Sequence, residues 1–129
     1  MGAWGVTFFE DDHALDWLDE LCTSDGTELL AEAFSLADGD TLAAPDGVRI
    51  LCAGATLAVA LGHDIDGAPG LLKIWTAGLF EDDIRALLPD AAAAVQRVLR
   101  DGSALKAQWG DATPQWEAQI TSLLAKLRR

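Results

Sequence analysis

Fourteen residues, Val48 to Leu61, constrain this chain more than any other stretch. They read VRILCAGATLAVAL, apolar on nearly every side apart from Arg49 and Thr56. A helix that is apolar all round must be buried in a protein core or in a membrane. This run falls well short of the roughly 20 residues that span a bilayer. Pro45-Asp46-Gly47 stands before it and Gly62 after it. Proline at a first turn and glycine past the end are ordinary helix punctuation. The run therefore predicts a buried central helix. Ala53, Gly54, Ala55, Ala58 and Ala60 would let neighbouring helices approach it closely.

The rest of the chain supplies those neighbours. At 129 residues it is long enough for one core, and the expectation is a single domain over 1–129. Half the residues are hydrophobic, and tyrosine is absent. Alanine is frequent and β-branched residues are sparse, which favours helices. A first helix is predicted from Asp12 to Cys22, with Ala14, Leu15, Leu18, Leu21 and Cys22 on its apolar face. A second should span Thr27 to Ala37, ended by Asp38-Gly39-Asp40. Residues 63–70 read as a loop, and Leu71–Trp75 is ambiguous between a short strand and a helical turn. Phe80-Glu81-Asp82-Asp83 looks like a helix start. Pro89 predicts the start of a further helix over Asp90–Arg100, with Val95, Val98 and Leu99 inward and Gly102 as its stop. Ser103 is a candidate N-cap for Ala104–Trp109. Thr113-Pro114 opens a last helix with Trp116, Ile120, Leu123, Leu124 and Leu127 on one face. The fold class expected is all-α: a compact bundle of about five to seven helices around the alanine-rich central one.

Charge is distributed unevenly. The net charge is -12, and residues 1–48 carry twelve carboxylates with no Lys or Arg. Residues 49–129 balance nine acids with nine bases. An acidic surface repels phosphate backbones and anionic lipid, so neither nucleic acid nor membrane is an expected partner. It attracts a basic protein or a cation; it also keeps a small alanine-rich protein in solution. On the first helix Asp12, Asp16, Asp19 and Glu20 share one face. Like charges four apart repel, so this stripe wants a cation. Arg85, Arg97 or Arg100 could supply it from within the chain, or a partner could supply it from outside.

The start has neither a basic n-region nor an apolar h-region, which predicts a cytoplasmic location. Cys22 and Cys52 lack C-x-x-C spacing and histidine companions, so zinc is not suggested. Both are expected to be buried free thiols.

The opening reads Gly2-Ala3-Trp4-Gly5-Val6-Thr7-Phe8-Phe9-Glu10-Asp11-Asp12-His13-Ala14-Leu15-Asp16-Trp17. It resembles the opening signature of a small bacterial family, domain of unknown function 4259: G-x-W-G-x-G-x-F-D/E-N-D-x-A-x-D-W/F. Gly2, Trp4, Gly5, Phe9, Glu10, Asp12, Ala14, Asp16 and Trp17 fit that pattern. Thr7 replaces a usual glycine and Asp11 a usual asparagine. Ser103, Leu105, Trp109 and Trp116 resemble the family's later S-E-L-x-x-x-W segment and last helix. Ala104 stands there in place of the acid, and Thr56 where relatives carry a glutamate. The resemblance implies no activity. A structural role suits the motif: Gly2 and Gly5 let the backbone pass close, and Trp4 and Phe9 tuck the N-terminus against the last helices.

Chemical candidates are few. Glu10, Asp12, His13 and Asp16, with Asp11 and the carboxylates of Glu81-Asp82-Asp83, are oxygen-rich enough for a divalent cation. No established metal spacing is matched, and N-capping with solvated acids explains the same residues. Asp64-Ile65-Asp66-Gly67 resembles the start of a calcium loop, but Lys73 stands where the bidentate glutamate belongs. No serine lies in a nucleophile elbow, neither cysteine has an evident base, and no phosphate-cradling glycine motif is present. No catalytic residue and no cofactor is predicted. The leading expectation is a non-enzymatic interaction protein that presents Asp12, Asp16, Asp19 and Glu20 to a basic partner; an inhibitor or immunity-type protein is one concrete form. The alternatives are a small carboxylate-rich enzyme or ligand-binding protein dependent on a divalent cation, and a structural homo-oligomer.

Overall fold

A computed structural model of the protein describes residues 12–24, 27–38, 41–63, 70–99 and 113–128. Among these residues there are six helices and no β-strand, so the protein is an all-α bundle. They are α1 (Asp12–Thr23), α2 (Glu28–Ser35), α3 (Ala44–Ala60), α4 (Gly70–Thr76), α5 (Glu81–Val98) and α6 (Thr113–Leu127).

The long apolar run forms α3, and every residue from Ile50 to Val59 is buried. It packs against all five other helices, and α5 additionally packs against α2 and α6. This is the central helix that the sequence predicts, begun four residues earlier. Pro45 sits in its first turn, where its missing N–H costs nothing. Thr56 is fully buried. Its hydroxyl donates to the Cys52 carbonyl at 2.8 Å, so no polar group is stranded there. At the other end the chain turns through Gly62, with φ +95°. Gly62 N–H donates to Val59 O at 2.9 Å, and His63 N–H to Ala58 O at 3.0 Å. Those two bonds make a Schellman cap, which needs a left-handed residue at that point.

The helix α1 buries Ala14, Trp17, Leu18 and Leu21 at i, i+3, i+4 and i+7. Cys22 is exposed, contrary to expectation; only Cys52 is a buried thiol. Leu21 takes the inward position of the last turn, and Cys22 lies one step round the helix from it. The last turn of α1 contains no basic residue. Hydroxyls occupy the free carbonyls instead: Thr23 Oγ1 donates to Glu20 O at 2.9 Å and Ser24 Oγ to Leu21 O at 2.8 Å. The second helix is shorter than its predicted span. Leu36, Ala37 and Asp38 continue it only as a turn of i→i−3 bonds from Leu36 N to Ala33 O, Ala37 N to Phe34 O and Asp38 N to Ser35 O.

The ambiguous segment at 71–75 is helical. Leu72 and Thr76, four apart, are buried, and Lys73 and Ile74 are exposed. A strand would put Leu72 and Ile74 on one face; only the helical period separates them. Pro89 does not start a helix. One helix runs through it from Glu81 to Val98. Proline removes the bond to the carbonyl of residue 85. Both Pro89 and Arg85 are exposed, so water can solvate that carbonyl. Ile84, Ala91, Ala94, Val95 and Val98 hold the buried face across the proline, and their burial sustains the helix. Val95 and Val98 face inward as expected. Ile120, Leu123, Leu124 and Leu127 of α6 do the same. The expected helix over 104–109 lies outside the described residues.

Candidate functional site

The acidic face of α1 is the feature that the fold leaves open. Burial of Ala14, Trp17, Leu18 and Leu21 against the core turns Asp16, Asp19 and Glu20 outward, and all three are exposed. The side chain of Asp12 lies outside the described residues. Asp16, Asp19 and Glu20 make no ion pair among the described residues. Glu28 and Glu32 of α2 are exposed as well.

Four of the described cations have partners elsewhere. Arg49 pairs with Asp46 within α3 at 3.1 Å. Arg85 pairs with Glu81 within α5 at 2.6 Å. Lys126 donates to Ser122 Oγ and Arg128 to Gln96 Oε1, each at 3.2 Å. Both ion pairs join exposed groups three or four residues apart, so each contributes little to stability. Arg85 was one of three residues expected to fold onto the α1 stripe; it serves its own helix instead. Arg100 lies outside the described residues. Arg97 is buried, 8% exposed, on the side of α5 that meets α2. A sequence reading misses that position, because Arg97 falls between the inward residues Val95 and Val98 and its charge masks its phase.

Arg97 contributes to an open groove of about 430 Å³ between α2 and α5, lined also by Phe34, Asp38, Asp90 and Ala94. A second hollow of about 300 Å³ lies at the end of α3 beside His63, Lys73 and Thr76. Neither was foreseen. Ala31, Ala93 and Ala94 supply only methyl groups to the wall of the first.

The other candidates divide as follows. Glu10, Asp11 and the side chains of Asp12 and His13 lie outside the described residues, as does the loop 64–69. Glu81, Asp82 and Asp83 are exposed in the first turn of α5. Among the described residues no three histidine, cysteine or carboxylate side chains gather as metal ligands. No helix among them is long and apolar enough to cross a membrane. Trp17 is buried, whereas Trp75 is half-buried at the end of α4. The indole N–H of Trp75 donates to the Ser24 carbonyl at 3.2 Å, pinning α4 to the end of α1. That is the clamping role expected of a tryptophan near an element end. Gly2, Trp4, Gly5, Phe9, Ser103 and Trp109 lie outside the described residues, as does the side chain of Trp116.

An all-α bundle wrapped on a buried alanine-rich helix, with Asp16, Asp19 and Glu20 exposed on its first helix, is the class these observations define. The chain matches the family model described as Domain of unknown function (DUF4259) over residues 2–119, and it belongs to that family. No curated protein and no solved structure matches it.

Proposed function

We propose that this protein is a non-enzymatic interaction module that docks a basic protein on the acidic face of α1. One observation carries the reading: Asp16, Asp19 and Glu20 share an exposed face, and no cation among the described residues pairs with them. Like charges at 16 and 20 repel along the helix, and a carboxylate at 20 opposes the helix dipole. The arrangement lowers stability, and a cationic surface laid across it removes the penalty. Electrostatic complementarity of this kind sets partner choice and association rate more than raw affinity. An inhibitor or immunity-type role toward a basic protein is one concrete form of this reading.

The test is capture from source-cell lysate at low salt, followed by elution in rising salt. The reading expects one stoichiometric basic protein, released as salt screens the contact. A bait carrying Asp16→Lys and Asp19→Lys should lose it. Equal capture by both baits removes the acidic face from the account.

A further inference from the structure

The groove between α2 and α5 holds charges of both signs in one hollow of about 430 Å³. The two helices pack on each other. Along it α5 presents Asp90, Ala93, Ala94 and Arg97, at i, i+3, i+4 and i+7. Two turns of helix set Asp90 and Arg97 about 10 Å apart along the axis. An acid thus stands toward one end of the stripe and a base toward the other, with two methyl groups between them. Across the groove α2 contributes Asp38 and the buried ring of Phe34. Asp38 and Asp90 are exposed, whereas Arg97 is buried and has an interaction of its own within the fold. A guanidinium carries several N–H donors in a planar fork, so it can hold a carboxylate while keeping a contact inside the fold. Gln96, next to Arg97, also lines the groove and accepts from Arg128 at 3.2 Å, which brings a second cation near that end.

Size and charge narrow the occupant. The hollow has the volume of a small-molecule site. An apolar ligand would strip water from charged groups and give nothing back. A polyanion meets two carboxylates, and a plain polyamine meets the buried guanidinium. A molecule with one carboxylate and two cationic groups complements Asp38, Asp90 and Arg97 together. We infer that the α2–α5 groove binds a free basic amino acid of the lysine, ornithine or arginine type. Its carboxylate lies on Arg97, its two cationic groups face Asp38 and Asp90, and its aliphatic stem covers Ala93, Ala94 and Phe34. This site is separate from the acidic face of α1, and it stands or falls without the basic-partner reading.

The probe is L-lysine, titrated calorimetrically at low salt beside three analogues that each lack one group. Cadaverine lacks the carboxylate, norleucine the side-chain ammonium and 6-aminohexanoate the α-ammonium. The inference expects lysine to saturate a single site with a Kd below about 10 mM, and each analogue to bind at least about fivefold more weakly. No saturable binding of lysine in that range overturns it. So does any analogue that matches lysine, because the missing group then has no partner in the groove. Two variants place the site. Asp90 and Ala93 are exposed, so Asp90→Asn and Ala93→Leu keep the fold, and melting curves check this. Asp90→Asn should weaken lysine at least about fivefold, and Ala93→Leu, which fills the groove, should abolish binding. Lysine binding that survives both substitutions unchanged lies elsewhere on the protein and overturns the inference.

Discussion

Gly54 of α3 and Val95 of α5 meet so closely that a Cβ built on Gly54 would stand 2.8 Å from Val95 Cγ2. The same Cβ would be 3.4 Å from Leu123 Cδ2 and 3.6 Å from Leu127 Cδ1 of α6. One missing methyl group thus sets the distance at which two helices pack on the central one. Val95 is fully buried and β-branched, so it cannot rotate away cheaply.

Gly54→Ala should therefore destabilise the protein, although alanine is the better helix former. Overpacking costs about 1–3 kcal/mol, and the gain in helix propensity returns about 1. The expected result is a net loss of about 1 kcal/mol in urea unfolding. Val95→Ala alone costs more, by opening a cavity. The double variant should cost less than the sum of the two, because the new methyl enters the space that Val95 vacates. Strict additivity would mean the two side chains do not meet.

Pro89→Ala should stabilise. The proline lies in the interior of α5, is exposed, and denies the residue-85 carbonyl its helical partner. Proline in a helix interior is about 3 kcal/mol worse than alanine. Part of that is offset because proline also restricts the unfolded chain. The expected gain is about 1–2 kcal/mol, read from the denaturation midpoint. A loss would show that a break at Pro89 is needed for packing.

Trp75→Phe keeps an aromatic ring at this half-buried position, loses part of the indole's packing and removes the N–H that donates to Ser24 O. The cost expected is about 1 kcal/mol. Ile74→Gln, one residue away but exposed, should change stability by less than about 0.5 kcal/mol. Hydrogen exchange should localise the effect of Trp75→Phe to α4 and the last turn of α1. Equal effects of the two substitutions would remove the clamp from the account.

Glu20→Lys should raise stability. It relieves repulsion with Asp16 and places a cation near the C-terminus of a helix that has none there. The melting temperature should rise by about 1–4 °C at low ionic strength, and the gain should shrink in high salt. A charged side chain that lowers stability and makes no ion pair among the described residues is the pattern expected where surface is kept for binding.

The order and approximate bounds of most elements are legible in the sequence, because their signals are local. The run at Val48–Leu61 is buried as its composition demands, and Ile120, Leu123, Leu124 and Leu127 face inward as their spacing demands. The errors arise where tertiary packing overrides a local rule. Pro89 is a start signal by local rules, yet Ile84 and Ala91 on either side of it need one continuous buried face. Residues 71–75 are too short for periodicity to separate strand from helix, and contact of α4 with α3 decides the matter. Cys22 was misplaced because its helical spacing from Leu18 grouped it with the apolar face, and the burial of Arg97 was not foreseen because its charge outweighed its position between Val95 and Val98. The acidic face of α1 was legible, since carboxylates at 16, 19 and 20 are a periodic pattern in themselves. The exposure of Ile74 and Phe80 was not, because exposure of an apolar side chain leaves no mark in sequence.

The measurement that tests the central claim most directly is the affinity of the captured basic protein for two purified forms of this chain. One is wild type; the other carries Asp16→Lys, Asp19→Lys and Glu20→Lys. The account predicts that the reversed form melts no lower than wild type, binds at least about tenfold more weakly, and loses most of the salt dependence. Equal affinity with the same salt dependence would contradict it and show that the α1 stripe is surface charge without a partner.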